Sequence, residues 1–156
     1  MDAKITLIGA GLTGPLLAAY LAQRGYEVDI FERRADMRKA SISAGRSINL
    51  AMSVRGIHAL QEVGLYDKIE PIIIPMQGRM IHGLDGTTHL QPYGQKENEV
   101  IYSVSRAKLN MELMSWAEST GKVQIHFEQK CTHVDLEKKT FTVLDKIFGN
   151  EKTEPF

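Results

Sequence analysis

Residues 5–32 read ITLIGAGLTGPLLAAYLAQRGYEVDIFE. The stretch opens on Ile5, Leu7 and Ile8, an apolar run of the right length for a short buried strand. Gly9-Ala10-Gly11-Leu12-Thr13-Gly14 follows as a GxGxxG turn. A helix is expected over 12–24, stopped by Gly25, and a second strand over 28–31 leads into Glu32. Each glycine has its own task. Gly9 permits the tight turn, Gly11 lets the backbone approach a pyrophosphate with no Cβ in the way, and Gly14 lets the helix pack close to the strand. The helix N-terminus offers unpaired N–H groups and a positive dipole end to phosphate. Glu32 lies 18 residues past Gly14, where a carboxylate accepts hydrogen bonds from a ribose hydroxyl pair and repels a 2′-phosphate. The ligand expected for this βαβ unit therefore carries an unphosphorylated adenosine diphosphate. A bare GxGxxG is a weak signal. Here the strand before it, the helix after it and the acid at its spacing all agree. Ala18, Leu21, Gly25 and Val28 also fall where helix–sheet packing needs small or apolar groups.

Composition narrows the remaining classes. A chain of 156 residues is one domain's worth and long enough to bury a core. Lys plus Arg and Asp plus Glu number 19 each, so no net field points to nucleic acid or an anionic membrane. Arg33, Arg34, Arg38 and Lys39 read as a solvated basic loop. The single cysteine, Cys131, excludes an internal disulfide and fits a reducing compartment. No apolar run approaches 18 residues, so a soluble, cytoplasmic protein is expected. His58, His82, His89, His126 and His133 share no metal-ligand spacing, and no metal site is expected. Met52, Met76, Met80, Met111 and Met114 read as core fillers.

Beyond Glu32 the pattern changes. Residues 33–47 are polar and small and read as a loop, with a strand-like segment over 47–52. Ser53 is placed to cap a helix running to Val63 and stopping at Gly64. Pro71 and Pro75 bracket Ile72-Ile73-Ile74, which excludes a long helix there. Residues 76–84 and 87–93 flank Asp85-Gly86, a hairpin signal. A strand over 100–104 precedes a helix over 105–119 with Leu109, Leu113, Met114 and Trp116 on its buried side. Residues 123–127 read as a parallel-sheet strand, and 131–136 with 140–144 as a hairpin around Glu137-Lys138-Lys139. There are no internal repeats. About 90 residues thus separate the second parallel strand from the third. That argues against a plain NAD domain, whereas nucleotide-binding flavoproteins carry such insertions.

A second group of motifs carries a resemblance. Gly45-Arg46-Ser47-Ile48-Asn49-Leu50-Ala51, Pro75-Met76 with Arg79-Met80-Ile81-His82, Pro92-Tyr93-Gly94, and Ser103-Val104-Ser105-Arg106 with Leu109-Asn110 closely resemble the kynurenine 3-monooxygenase family. That family is a branch of the single-component FAD-dependent aromatic hydroxylases, the p-hydroxybenzoate hydroxylase class. The resemblance extends over essentially the whole chain. It implies an α/β, Rossmann-like FAD-binding domain with an inserted β-hairpin segment. It also implies an activity, in the kynurenine pathway of tryptophan degradation. FAD reduced by NADPH reacts with O2, and L-kynurenine is hydroxylated beside its aromatic amine. Carried over residue by residue, Gly9, Gly11, Leu12, Thr13 and Gly14 bind the cofactor, and Glu32 is the ribose acid, with Arg33 and Arg34 beside it. Ala51 lines the isoalloxazine. Arg106 reaches the phosphate–ribityl region, and Cys131 lies where the backbone borders the adenine. Arg79 and Tyr93 match the family's contacts to the amino-acid end of the substrate. No catalytic residue is implied in this chain, because the flavin does the chemistry. From the residues alone, Arg79 is equally a surface arginine of a hairpin and Tyr93 half-buried packing. Arg46 reads equally as a phosphate contact or a loop salt bridge.

Two later fingerprints of that family, an Asp-Gly motif at the end of the next strand and a Gly-Asp motif that contacts the FAD ribityl chain, do not occur here. Residues 1–156 are therefore expected to be a truncated N-terminal part of the FAD-binding domain. The rest of that domain and the substrate domain would be absent, and the chain alone inactive. Its first strand is expected to present an open sheet edge through which copies self-associate. The alternatives left open are another FAD-dependent aromatic hydroxylase or oxidoreductase, or a non-catalytic nucleotide-binding module.

Overall fold

The computed structural model describes residues 4–39, 48–96 and 99–156. The chain divides into two compact units, one formed by residues up to 45 and from 110 onward, the other by 46–109. In chain order, β1 (Lys4–Ile8), α1 (Thr13–Gln23) and β2 (Glu27–Phe31) begin the first unit. The second holds β3 (Asn49–Met52), α2 (Val54–Glu62), α3 (Tyr66–Ile69), β4 (Ile74–Met76), β5 (Gly78–His82), β6 (Thr88–Pro92) and β7 (Ile101–Ser105). Then come α4 (Arg106–Ser119), β8 (Val123–His126), β9 (Gln129–Asp135), β10 (Thr140–Asp145) and β11 (Glu151–Pro155). The fold is the expected mixed α/β, with the long insertion between β2 and β8.

In the first unit three parallel strands run in the order β1-β2-β8. The period-two alternation of β2 sends its side chains to two different layers. Val28 and Ile30 join Val123 and Ile125 of β8, Ala18 and Ala22 of α1, and Met114 and Ala117 of α4 in one core. Phe31 points the other way, into a cluster with Phe141 and Val143 of β10. Phe31 meets Phe141 edge-to-face at 4.9 Å and stacks on His126 at 4.8 Å. Helices therefore cover one face of the parallel sheet, and the antiparallel meander β9-β10-β11 the other. Burying each large aliphatic side chain is worth about 1.5–3 kcal/mol. A one-residue slip of β2 would turn Asp29 into the helix-side core, so register is fixed from both faces.

Helix α1 ends as its glycine predicts. Gly25 has φ +92° and donates to the Ala22 carbonyl, while the Tyr26 N–H reaches back to Leu21 at 3.2 Å. The roles given to the two later loop glycines separate cleanly. A Cβ on Gly14 would overlap the Gly9 carbonyl oxygen, whereas one on Gly11 would meet nothing within 4 Å. Gly14→Ala is therefore expected to cost about 1–3 kcal/mol of stability and Gly11→Ala less than about 0.5 kcal/mol. Urea unfolding of the two variants checks this, and equal losses would contradict it.

Two expectations are corrected. The first strand is not buried: β1 is half-buried, Ile8 is 52% exposed, and among the described residues β1 pairs with β2 alone. The basic loop is not uniformly solvated. Arg33, Arg34 and Lys39 are exposed, but Arg38 is clamped. It makes a two-pronged contact to the buried Asp36, Nε to Oδ1 and Nη2 to Oδ2 both at 2.8 Å, and Nη1 donates to Glu118 at 2.5 Å. The Arg38 hydrogen bond is the main reason the Asp36 carboxyl titrates below its ordinary value. This contribution to stability is present at neutral pH and is lost as pH falls through that lowered pKa. Beyond the hairpin β9-β10, residues 151–155 add a strand, β11, paired antiparallel with β10 from Thr140↔Pro155 to Leu144↔Glu151.

The second unit holds the antiparallel sheet β3-β7-β4 and the separate hairpin β5-β6. Helix α2 starts after Ser53 as expected, yet the Ser53 hydroxyl makes no cap bond; its carbonyl accepts the Ile57 N–H. The prolines do exclude a long helix, but the short α3 and a 3₁₀ turn, Glu70–Ile72, precede β4. On α4 the fully buried position near the end is Ala117, and Trp116 is only half-buried. The loop expected over 33–47 and the motif residues Gly45, Arg46 and Ser47 lie partly or wholly outside the described residues.

Candidate functional site

The glycine loop leaves the C-terminal end of β1 with Gly9 at φ +101°, its N–H donating to the Phe31 carbonyl at 2.8 Å. The next peptide is held on both sides. The Ala10 N–H donates to Glu32 Oε2 at 2.8 Å, and the Ala10 carbonyl accepts from Asn110 Nδ2 at 3.0 Å. The second oxygen of Glu32 accepts the Arg34 backbone N–H at 3.0 Å. Glu32 thus joins the loop to the start of the chain after β2, at the spacing the sequence predicts. At the head of α1, Leu12 occupies the cap position with no side-chain cap bond, and the first turn has no acid. Its N–H groups and dipole end are the kind that an anion satisfies.

These features fit a dinucleotide. Space opens at Gly11 where a Cβ would stand. The helix end is uncapped, a half-buried carboxylate sits at the ribose spacing, and a buried acceptor, Asn110 Oδ1, has no hydrogen-bond partner among the described residues. Leu12 and Thr13 lie in the turn itself. Arg33 and Arg34 point no charge into a described ion pair and are exposed. Cys131 is on β9 in this same unit, half-buried against the Phe31–Phe141–Val143 cluster, its thiol 3.6 Å from the His133 carbonyl.

The remaining candidates belong to the second unit. Ala51 is exposed on β3, opposite Ser103 of β7. Arg106 opens α4, its N–H donating to the Ile48 carbonyl at 3.2 Å, with the side chain exposed. Arg79 on β5 faces Gln91 on β6, and its Nε donates to Gln91 Oε1 at 2.7 Å. The Tyr93 N–H donates to the Gln77 carbonyl at 2.9 Å, extending the ladder by one step. Positions 77, 79, 91 and 93 therefore share one face of the hairpin. The structure brings Arg79 and Tyr93 onto that common face, with Tyr93 45% exposed.

Two residues at the loop escaped the sequence reading. Asn110 fell within a quoted motif but was given no role. Its only signal was a polar amide beside Leu109 on the apolar side of a helix. Met37, whose sulfur receives the Asn110 amide at 3.4 Å, had none. Elsewhere in this unit a cavity of about 450 Å³ is lined by Lys4, Asp29, His126, Asp145, Lys152 and Glu154, among others. Its charges already have partners. Lys4 pairs with Asp29, which raises the lysine pKa, Asp29 lies 3.2 Å from His126, and Lys152 meets Glu154 at 2.7 Å. Among the described residues no helix is long and apolar enough to cross a membrane.

Comparison with known proteins agrees with the loop geometry. A protein of Myxococcus xanthus (strain DK1622) named kynurenine 3-monooxygenase is 49% identical over 97% of this chain and 32% of its own length. Proteins of the same name from Legionella pneumophila (strain Corby) and Anopheles gambiae are 45% and 40% identical, over 86% and 96% of this chain. The chain spans about a third of the length of these relatives. In fold it is similar to p-nitrophenol 4-monooxygenase PnpA from Pseudomonas putida DLL-E4, with a TM-score of 0.76 over 98% of this chain and 38% of that one, at 14% identity. The flavin-dependent monooxygenase PieE, solved with FAD and substrate, gives 0.77 over 98% of this chain and 28% of that one, also at 14% identity. The family model described as FAD binding domain matches residues 2–153. With a dinucleotide loop of this geometry and a match across nearly all its residues, the chain belongs to the FAD binding domain family.

Proposed function

We propose that these residues are the FAD-binding part of a flavin monooxygenase that converts L-kynurenine to 3-hydroxykynurenine with NADPH and O2. The observation that carries this reading is the identity of 40–49% with relatives named kynurenine 3-monooxygenase, spread over most of the chain. Because the chain spans about a third of those relatives, the activity is assigned to a protein of their length. When bound, FAD supplies the redox and oxygen-transfer chemistry.

The roles left to this chain are binding and orientation. The glycine loop and the head of α1 receive the pyrophosphate, Glu32 the adenosine ribose, and Arg33, Arg34 and the Cys131 backbone the adenosine end. Ala51 and Arg106 serve the flavin end. Arg79 takes the substrate carboxylate through its two Nη groups, its Nε being held by Gln91. That bond fixes the plane of the guanidinium before substrate arrives, so less freedom is lost on binding. Tyr93, on the same face, supplies a hydroxyl toward the same polar end. The test is kynurenine-dependent NADPH oxidation by a protein of the relatives' length that carries this sequence.

A further inference from the structure

The Ala10 peptide is gripped from two directions by groups distant in sequence. Glu32 takes its N–H at 2.8 Å, and Asn110 donates to its carbonyl at 3.0 Å from 100 positions away. The Asn110 amide is oriented by this bond. Turned over, it would set Oδ1 against the Ala10 oxygen. In the orientation adopted, Oδ1 is buried without a hydrogen-bond partner among the described residues. Leaving a buried acceptor unpaired is destabilising. An apolar side chain of the same shape would avoid that cost and suit the neighbouring Leu109, Leu113 and Met114 of α4, all buried. Packing alone therefore does not account for asparagine. Holding the loop does, because a leucine has no donor for the Ala10 carbonyl.

We propose that Asn110 is a positioning residue of the dinucleotide loop. It fixes the Ala10–Gly11 peptide plane, and with it the direction of the N–H groups that follow, in the shape that receives the FAD pyrophosphate. This rests on the reading of the loop as the FAD site. Its effect on loop order, however, is independent of any ligand.

The experiment has two arms. Amide hydrogen exchange on the 156-residue chain compares wild type with Asn110→Leu and Asn110→Asp. Both variants are close to asparagine in shape, and neither leucine nor an ionised aspartate has a donor for Ala10. Exchange at the Gly9 and Ala10 amides, which donate to the Phe31 carbonyl and to Glu32, is expected to rise at least tenfold, with the β2 amides of Val28 and Ile30 unchanged. Met37→Leu, which removes only the sulfur partner, should leave the loop at wild-type rates. In the second arm FAD is titrated into the same variants in a protein of the relatives' length, and a loss of affinity of about tenfold is expected. Unchanged loop exchange overturns the proposal, and so does a rise shared equally by loop and β2, the mark of general destabilisation. Loop exchange that rises while FAD affinity stays within twofold overturns the role in binding. A wild-type protein that takes up no FAD overturns the reading of the site, and the exchange arm distinguishes that failure from the others.

Discussion

Glu32→Ala is expected to weaken FAD binding by about 1.5–3 kcal/mol, the worth of a hydrogen bond to a charged group. In affinity this is about ten- to a hundredfold. Two losses combine in the variant. The ribose loses its charge-assisted acceptor, and the Ala10 and Arg34 N–H groups lose theirs. Glu32→Gln separates the two effects. A glutamine oxygen still accepts one backbone N–H and keeps the side-chain volume, but carries no charge for the ribose pair. Its FAD affinity should lie between wild type and Glu32→Ala. Quenching of flavin fluorescence on binding gives all three values. Equal affinity across the set would remove Glu32 from the site.

The second large effect is on the substrate. In a protein of the relatives' length, Arg79→Ala should raise the L-kynurenine dissociation constant at least tenfold while FAD affinity stays within twofold. Arg79→Lys should recover little. A lysine ammonium is a point charge on a flexible stem and cannot present two parallel donors to a carboxylate. It also cannot reproduce the arrangement in which Nε is tied to Gln91 while both Nη groups remain for the ligand. Substrate titration followed by the flavin spectrum reads this. Normal kynurenine binding in both variants would overturn the assignment of Arg79.

The glycine loop was legible because everything that forms it is local. Three glycines, an uncapped helix start and an acid after one strand all lie within residues 9–32, and each answers to a steric or electrostatic rule. The DG hairpin and the parallel β8 were legible for the same reason, from turn chemistry and apolar period. What the sequence hid depends on distant partners. ITLI reads as a buried strand, but its burial is set by how many neighbours pair with it, and β1 has only β2 among the described residues. Arg38 looked like one more solvated cation, since its second carboxylate, Glu118, is 80 residues away. Glu151–Pro155 carries no strand signal, because charged residues and a proline are depleted in strands. On an exposed edge beside β10 they are tolerated. Asn110 was invisible as a site residue because its partner is a backbone carbonyl, which leaves no trace in side-chain patterns.

The most direct measurement of the central claim is product analysis under ¹⁸O2. A protein of the relatives' length carrying this sequence is supplied with FAD, NADPH and L-kynurenine, and the products are examined by mass spectrometry. The account predicts 3-hydroxykynurenine with one labelled oxygen on the ring, formed in step with NADPH oxidised. It predicts that the Arg79→Ala variant loses this product at substrate levels that saturate wild type. NADPH oxidation that ignores kynurenine, or label found only in a different aromatic substrate, would contradict it.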